Sequence, residues 1–512
     1  MFGPPALILS AICGPLQTRG FTVKLNRRQF VSTSAVAAAA TMQAAAFPGS
    51  AMASAAEKSD VVVIGAGYSG LNAAIMLKDA GYNVTVLEAS DRIGGRAFTG
   101  DHIEGRPELG ANQIGPQYAR VRDMAQRLGV ELSHGANLNA PFTFSIGGKL
   151  VRNEDWAKSE LNKTVGAERE LLPTQLMSSF LVKNDPFQNS SQWLQEAAAG
   201  AYDISLGQWL QRLGASPAAM RLISEGLIAP DMWSASALDL LQGIPRNFAE
   251  FKEQSSDSVK GDSHEQAAIV SSRVVGGTQR LPEAMAAYLG DSVQRNKAVA
   301  RIEMNGTKAE VTCLDGTRYD SSFVVSAVPL TVLRRISIYP HLAGDQREAV
   351  MMTPYANTTF IYMNVNKPFW EDDGMDASLW TDGPINLVRQ AFDYDGTRDR
   401  LVALSTGLKA NQLDQLPHKE RGEFVIKEIE RLRPSTVGAL EVSGIHSWAE
   451  QPFNAGCSGA LPAGNTLRYA KALVKPHDRL HFAGEHTKRL EVGMESAMES
   501  GERAALEIFD RS

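Results

Sequence analysis

Asp60-Val61-Val62-Val63-Ile64 runs directly into Gly65-Ala66-Gly67-Tyr68-Ser69-Gly70, and this junction constrains the fold more than any other feature of the chain. A continuous apolar run suits a parallel strand buried on both faces. Leu71 to Asp79 then reads as a helix, with Ala74, Ile75 and Leu77 on its apolar side. Gly81-Tyr82 turns the chain, and Asn83 to Glu88 reads as a second strand ending in an acid. Together these make one βαβ unit. Gly65 permits the tight turn, Gly67 lets the backbone approach a pyrophosphate, and Gly70 lets helix and strand pack closely. The helix start, just after Ser69 and Gly70, offers free N–H groups and a positive dipole end to phosphate. Glu88, eighteen residues after Gly70, can accept from both ribose hydroxyls and would repel a 2′-phosphate. Gly65, Gly67, Ser69, Gly70 and Glu88 are therefore candidate contacts for a dinucleotide.

The chain has 512 residues and a net charge of -6, from 51 basic and 57 acidic side chains. That balance argues against nucleic acid as a partner, which would call for a basic surface. Three cysteines, Cys13, Cys313 and Cys457, cannot make a disulfide framework. No Cys/His group has ligand spacing, so no metal site is expected. Residues 1–56 read as a targeting segment. Asn26-Arg27-Arg28-Gln29-Phe30-Val31 is a twin-arginine start, followed by an Ala-rich run from Ala35 to Ala46 and small-residue cleavage signals at Ala51-Met52-Ala53 or Ala53-Ser54-Ala55. Export to the periplasm or beyond is the expectation.

Nucleotide-like segments recur at the start, middle and end. Val293 to Ile302 and Ala309 to Cys313 contain short strands, Asp315-Gly316 is a hairpin signal, and Phe323 to Pro329 is another buried strand. Arg479 to Ala483 reads as a strand and Met494 to Phe509 as a helix. Tyr118 to about Ser272 is mostly helical in pattern, and 336 to 447 is mixed. The expected architecture is α/β, an interleaved Rossmann-like domain with a mixed α+β substrate domain. The segments are 57–117, 273–335 and 448–512 for the first, and 118–272 and 336–447 for the second.

The residues after Glu88 decide which dinucleotide is bound. Glu88-Ala89-Ser90-Asp91-Arg92-Ile93-Gly94-Gly95-Arg96 resembles the second glycine motif of the flavin amine oxidase superfamily, which spans monoamine, polyamine and L-amino-acid oxidases. Glu108 to Pro116, Gly276 to Pro282, His481 to Thr487 and Met494 to Ala505 are similar to later segments of the same family, so the resemblance runs the length of the chain after the leader. It implies FAD, with Arg96 as a cation toward the diphosphate and flavin, Val299 at adenine, Gly484 and Glu485 at the ribityl turn, and the Met494 N–H at the pyrimidine edge. Trp448 to Cys457 has the spacing of family members that carry a cysteinyl flavin. Cys457 is therefore either a thioether to FAD or, the preferred reading, a small buried thiol lining it. The resemblance leaves a homodimer open.

Three positions depart from the family. Thr359 or Phe360 stands where most members have a lysine water-linked to flavin N5. Ser458 and Gly493 replace the two aromatic rings that sandwich the amine in monoamine oxidases. Gln113 replaces the arginine that clamps the carboxylate in L-amino-acid oxidases. Gln113, Thr359, Ser458 and Gly493 are thus the candidate substrate pocket. Tyr362, Trp380 and Phe392 read equally as pocket or core, and His481 and His486 as satisfied histidines rather than acid/base groups. No general base is assigned. The implied reaction is hydride transfer from the carbon alpha to an amine, imine hydrolysis to a carbonyl, and electron transfer to oxygen (giving peroxide) or to a periplasmic acceptor. The alternatives are a carotenoid- or protoporphyrinogen-type oxidase of C–C bonds, an L-amino-acid oxidase, and a flavin-binding partner protein without turnover.

Overall fold

The computed structural model describes residues 56–134, 141–227, 229, 231–245, 272–391 and 400–512. The expected twin-arginine segment, Cys13 and Phe392 lie outside the described residues.

Val61–Ile64 is a strand with every residue buried. It sits at the centre of a five-stranded parallel sheet, ordered Leu480–Phe482, Phe323–Ser326, Val61–Ile64, Val84–Leu87, Val293–Gln294. Three distant stretches of chain supply these strands, which explains why buried-strand patterns recur along the sequence. Alternation divides the central strand between two cores. Val61 and Val63 pack with the helices Tyr68–Asp79, Arg280–Leu289 and Gly493–Phe509, while Val62 and Ile64 pack with Ile302, Val311 and Tyr319 of a second sheet. Each such buried side chain contributes about 1.5–3 kcal/mol. The C-terminal helix crosses the first helix at Gly501, where an added Cβ would lie 2.3 Å from the Ser69 carbonyl oxygen. Asn72 Nδ2 also donates to the Met498 carbonyl at 2.8 Å.

The second sheet is ordered Glu57–Lys58, Arg318–Ser321, Ala309–Cys313, Val299–Met304, Ser337–Tyr339. Its last strand lies beyond the boundary at 335 read from the sequence, because Ser337–Tyr339 runs parallel to Val299–Met304 and pairs Ile338 with Ile302. A seven-stranded sheet carries the remaining strands, from Leu440–Ser447 and Thr358–Val365 through Arg400–Thr406, Leu387–Ala391 and Ser378–Thr381 to Phe142–Ile146 and Lys149–Val151. The last two are short strands within a segment, 118–272, whose described residues are otherwise mostly helical, as read from the sequence. Phe142-Thr143-Phe144-Ser145-Ile146 is a strand alternating aromatic and hydroxyl residues, buried beside Trp156 and Trp380. Trp380 is thereby a core residue.

Candidate active site

The glycine-rich junction forms one end of a cavity of about 1170 Å³. Gly65, Gly67, Ser69, Glu88, Arg96, Val299, Cys457, Ser458, Gly484, Glu485, Gly493 and Met494 all line it. Residues from the start, middle and end of the chain thus share one wall. Gly70 is set back from the cavity, and a Cβ there would fall 2.0 Å from the Gly65 carbonyl oxygen and 3.1 Å from Ala327 Cβ. That is the close helix–strand packing expected of the third glycine.

The Tyr68–Asp79 helix starts without a side-chain cap and without an acid in its first turn. Its leading N–H groups and positive end therefore face the cavity unneutralised, as an anion site requires. Gly94 and Gly95 both hold positive φ, +115° and +58°, and Gly94 bridges to Gly67. The two glycine motifs so lie side by side with no Cβ between them and the cavity. The Glu88 carboxylate accepts from Ala66 N at 2.9 Å, and from Ser90 N and Oγ at 2.9 and 2.8 Å. The acid is fixed in place while its remaining lone pairs stay available to hydroxyl donors.

At the far end, Arg96 donates to the Cys457 carbonyl at 2.9 Å and pairs with Glu485 at 3.2 Å. Burial works against its charge, but Glu485, Tyr355 and Cys457 outweigh it and hold the guanidinium more firmly protonated than usual. Burial raises the Cys457 thiol above its ordinary range, with Thr358 and Arg96 opposing. The Gly493–Phe509 helix also begins without a side-chain cap, and it begins at the cavity. Its buried Glu495 turns away, accepting from Arg120 N at 3.0 Å and Val121 N at 3.1 Å. The positive end of the helix is thus left for a ligand. A glycine cradle without side chains, an uncapped helix at each end and a fixed acid beside the cradle together fit a flavin dinucleotide. The cradle and first helix suit its diphosphate, the acid its ribose, and the second helix its ring.

Two expected substrate contacts are not on the cavity wall. Thr359 points to the opposite face of its strand, fully buried, and donates to Asp414 Oδ1 at 2.7 Å. Its neighbour Phe360 lines the cavity instead, as strand alternation requires. Gln113 is exposed and outside the lining. Tyr362 is buried and donates to the Glu108 carbonyl at 2.6 Å, stacked near Phe360 at 6.0 Å. Trp448 both lines the cavity and is anchored, its Nε1 donating to the Leu109 carbonyl at 2.7 Å. Sequence reasoning missed Lys297 and Arg335 as cationic lining. Neither belongs to a local motif, and only the folding of the second sheet brings them here.

His486 lies buried behind Gly484, and burial, then Arg96 and Arg503, lower it to about 3. His446, wedged between Phe98 and Trp448, is lowered by burial, Arg92 and His102 to about 4. Both are neutral at pH 7, so neither is a proton donor there. The unfolded chain binds these protons below its ordinary value of 6.5 and the folded chain does not. Stability is therefore full above pH 6.5 and falls as pH drops toward 4, by up to about 1.4 kcal/mol per pH unit for each histidine. Thermal melts across pH 4–7 should show a declining Tm, and the double variant His446→Gln/His486→Gln should flatten the decline.

Known proteins are similar to this chain over most of its length. A family model described as flavin containing amine oxidoreductase matches residues 68–509, and one for pyridine nucleotide-disulphide oxidoreductase matches residues 26–108. The flavin-containing amine oxidase B of Homo sapiens is 26% identical over 482 residues, covering 88% of this chain and 86% of that protein. L-amino acid oxidase Bs29 of Bothriechis schlegelii is 26% identical over 471 residues, covering 88% and 89%. Among solved structures, putrescine oxidase bound to putrescine superposes with TM-score 0.71 at 23% identity, covering 89% of this chain and 99% of that one. Cyclohexylamine oxidase from Brevibacterium oxydans IH-35A gives 0.71 at 21%, covering 88% and 99%. These last two share the fold. The match over most of the chain, joined to a cavity built from both glycine motifs and the C-terminal turn, places this protein in the flavin-containing amine oxidoreductase family.

Proposed function

We propose that this chain oxidises a small amine at the carbon bearing nitrogen, with FAD held in the cavity. The observation that carries the reading is continuity: the cavity that begins at the dinucleotide cradle ends at Phe360, Trp448, Ser458 and Gly493. In this reading Glu88 holds the adenosine ribose, the Tyr68–Asp79 helix start holds the diphosphate, and Arg96 with Glu485 holds the flavin side. The uncapped start of the Gly493–Phe509 helix, with the Met494 N–H, stabilises negative charge at the ring edge. When bound, FAD supplies a hydride acceptor. Phe360 and Trp448 keep the reacting end apolar, which favours the uncharged amine and excludes water. Neither His446 nor His486 is required as a base, and both are held neutral.

The test is anaerobic mixing of the yellow protein with an amine panel while its visible flavin band is followed. Bleaching by amines supports the reading. Bleaching by none, or by a C–C substrate alone, would sink it. Phe360 at the place of the family lysine favours an electron acceptor other than oxygen. Reoxidation of the reduced protein by air within a second would count against that choice.

Two finer points belong to the same proposal. Burial keeps the Cys457 thiol protonated at neutral pH, which favours FAD held without a covalent bond. Acid precipitation should leave the yellow colour in the supernatant, for wild type and Cys457→Ser alike; a yellow wild-type pellet would mean a thioether. Export by the twin-arginine route rests on residues 26–31. Replacing Arg27 and Arg28 by lysine should move the protein from the periplasmic to the cytoplasmic fraction.

A further inference from the structure

Glu485, Gly493 and Met494 line the cavity, and residues 486–492 join them without lining it. This turn connects the Arg96–Glu485 pair to the uncapped start of the Gly493–Phe509 helix. Its only helical piece is the short 3-10 turn Glu485–Thr487. With so little regular structure of its own, the turn depends on contacts from other segments for its place. Polar contacts from the 118–272 segment supply them. Trp193 Nε1 donates to the Arg489 carbonyl at 2.8 Å, and Gln242 Nε2 donates to the Glu491 carbonyl at 3.4 Å. Lys488 Nζ pairs with Asp239 Oδ1 at 2.8 Å. Asp239 lies on the short helix Ala237–Leu241, and its other oxygen accepts from Leu461 N at 3.3 Å.

The ion pair differs in kind from the other two contacts. Trp193 and Gln242 are neutral donors to carbonyls. Lys488 and Asp239 are full charges whose side chains are only 14% and 9% exposed. Taking two charges out of water costs about as much as their attraction returns, so a neutral contact would hold the turn equally well. What the pair adds is charge in a place poorly screened by solvent. That place adjoins the cavity wall. Lys488 N donates to the Glu485 carbonyl at 3.2 Å. Burial opposes the ammonium charge, and Asp239 and then Glu485 outweigh it.

We propose that Lys488 and Asp239 are a positioning pair for the flavin, holding the turn that carries the Gly493–Phe509 helix start and setting the reduction potential of the bound ring by cancelling each other's charge. An unbalanced cation beside this turn favours the electron-rich reduced ring, and an unbalanced anion disfavours it. The inference rests on FAD being held in the cavity and is independent of which donor is oxidised.

The experiment measures the midpoint potential of the flavin-loaded full chain against reference dyes, with flavin content and Tm alongside. Lys488→Met strands the Asp239 carboxylate. Its preference for reduced over oxidised flavin should fall about tenfold below wild type, the order that one nearby charge exerts on a buried site. Asp239→Asn strands the ammonium and should raise that preference about tenfold. For a two-electron couple these are shifts of about 30 mV, downward and upward respectively. Each is compared with wild type where the stranded group keeps its charge, at about pH 8 for the carboxylate and about pH 6 for the ammonium. The double variant Lys488→Met/Asp239→Asn, with neither charge, should return close to the wild-type potential at both. Lys488→Gln, which can still hydrogen-bond Asp239, replaces Lys488→Met if the latter does not fold, with the same expected sign. Opposite shifts that cancel in the double variant support the inference. Shifts of one sign in both single variants, kept in the double, would mean that the pair only braces the turn, and overturn it. Unchanged potentials at normal flavin content overturn it alone. Wild type that takes up no flavin overturns the reading of the cavity, and this inference with it.

Discussion

Gly70→Ala should yield a protein that is poorly folded and colourless. The added Cβ would lie 2.0 Å from the Gly65 carbonyl oxygen and 3.1 Å from Ala327 Cβ. Neither neighbour is the end of a flexible side chain, so the helix must move off the sheet. Overpacking of a tight core commonly costs about 1–3 kcal/mol, and contact with rigid backbone puts this case at or above the upper end. The displacement also moves the uncapped helix start away from the Gly94–Gly95 turn, which abolishes the anion site even in molecules that fold. The prediction is a Tm lowered by about 3 °C or more together with less than a tenth of the wild-type flavin content, as judged by the ratio of visible to ultraviolet absorbance. Gly67→Ala is the internal control. Its Cβ would meet nothing nearer than the Gly94 carbonyl oxygen at 3.9 Å. That variant should fold with near wild-type Tm and lose flavin, because its methyl group intrudes only on the bound diphosphate. Equal losses of Tm in both would contradict the assignment of separate packing and ligand roles.

Arg96→Met should weaken flavin binding about a hundredfold while leaving the fold intact. The side chain of Arg96 is 23% exposed and that of its partner Glu485 is 21% exposed. Removing one member of a largely buried pair strands the other charge, at a cost of about 3 kcal/mol, the lower end for such pairs because each keeps some solvent. The Cys457 carbonyl also loses its donor. Most of this loss should fall on the flavin complex, where solvent is excluded, and less on the empty protein. The double variant Arg96→Met/Glu485→Gln tests the cause. Neutralising the stranded carboxylate should recover about half of the lost affinity, and a double variant no better than Arg96→Met would refute the ion-pair account. Lysine at position 96 should be an incomplete substitute, because it cannot serve the Cys457 carbonyl and Glu485 from one rigid plane.

The histidines show how far local sequence carries electrostatics. His486 sits inside a recognisable turn, yet nothing in His481 to Thr487 reveals that its ring packs behind Gly484 beside Arg96 and Arg503. The substrate end shows the same limit. An alignment to the family lysine leaves Thr359 and Phe360 equally eligible, and only strand register assigns Phe360 to the cavity and Thr359 to Asp414.

Sequence alone determined the dinucleotide cradle, because each of its requirements is local. A buried strand, three glycines, a helix and a terminal acid act within about thirty residues, and their spacing carries the geometry. The same holds for the second glycine motif and the final turn. What only the tertiary structure decided is everything that depends on which distant surfaces meet. It put Gln113 outside, turned Thr359 away, and brought Lys297 and Arg335 to the cavity. Strand register and sheet order set those outcomes, and a shift of one residue would exchange the two faces. No residue type or short spacing in the chain encodes that choice, since it is made by the packing of whole sheets and helices.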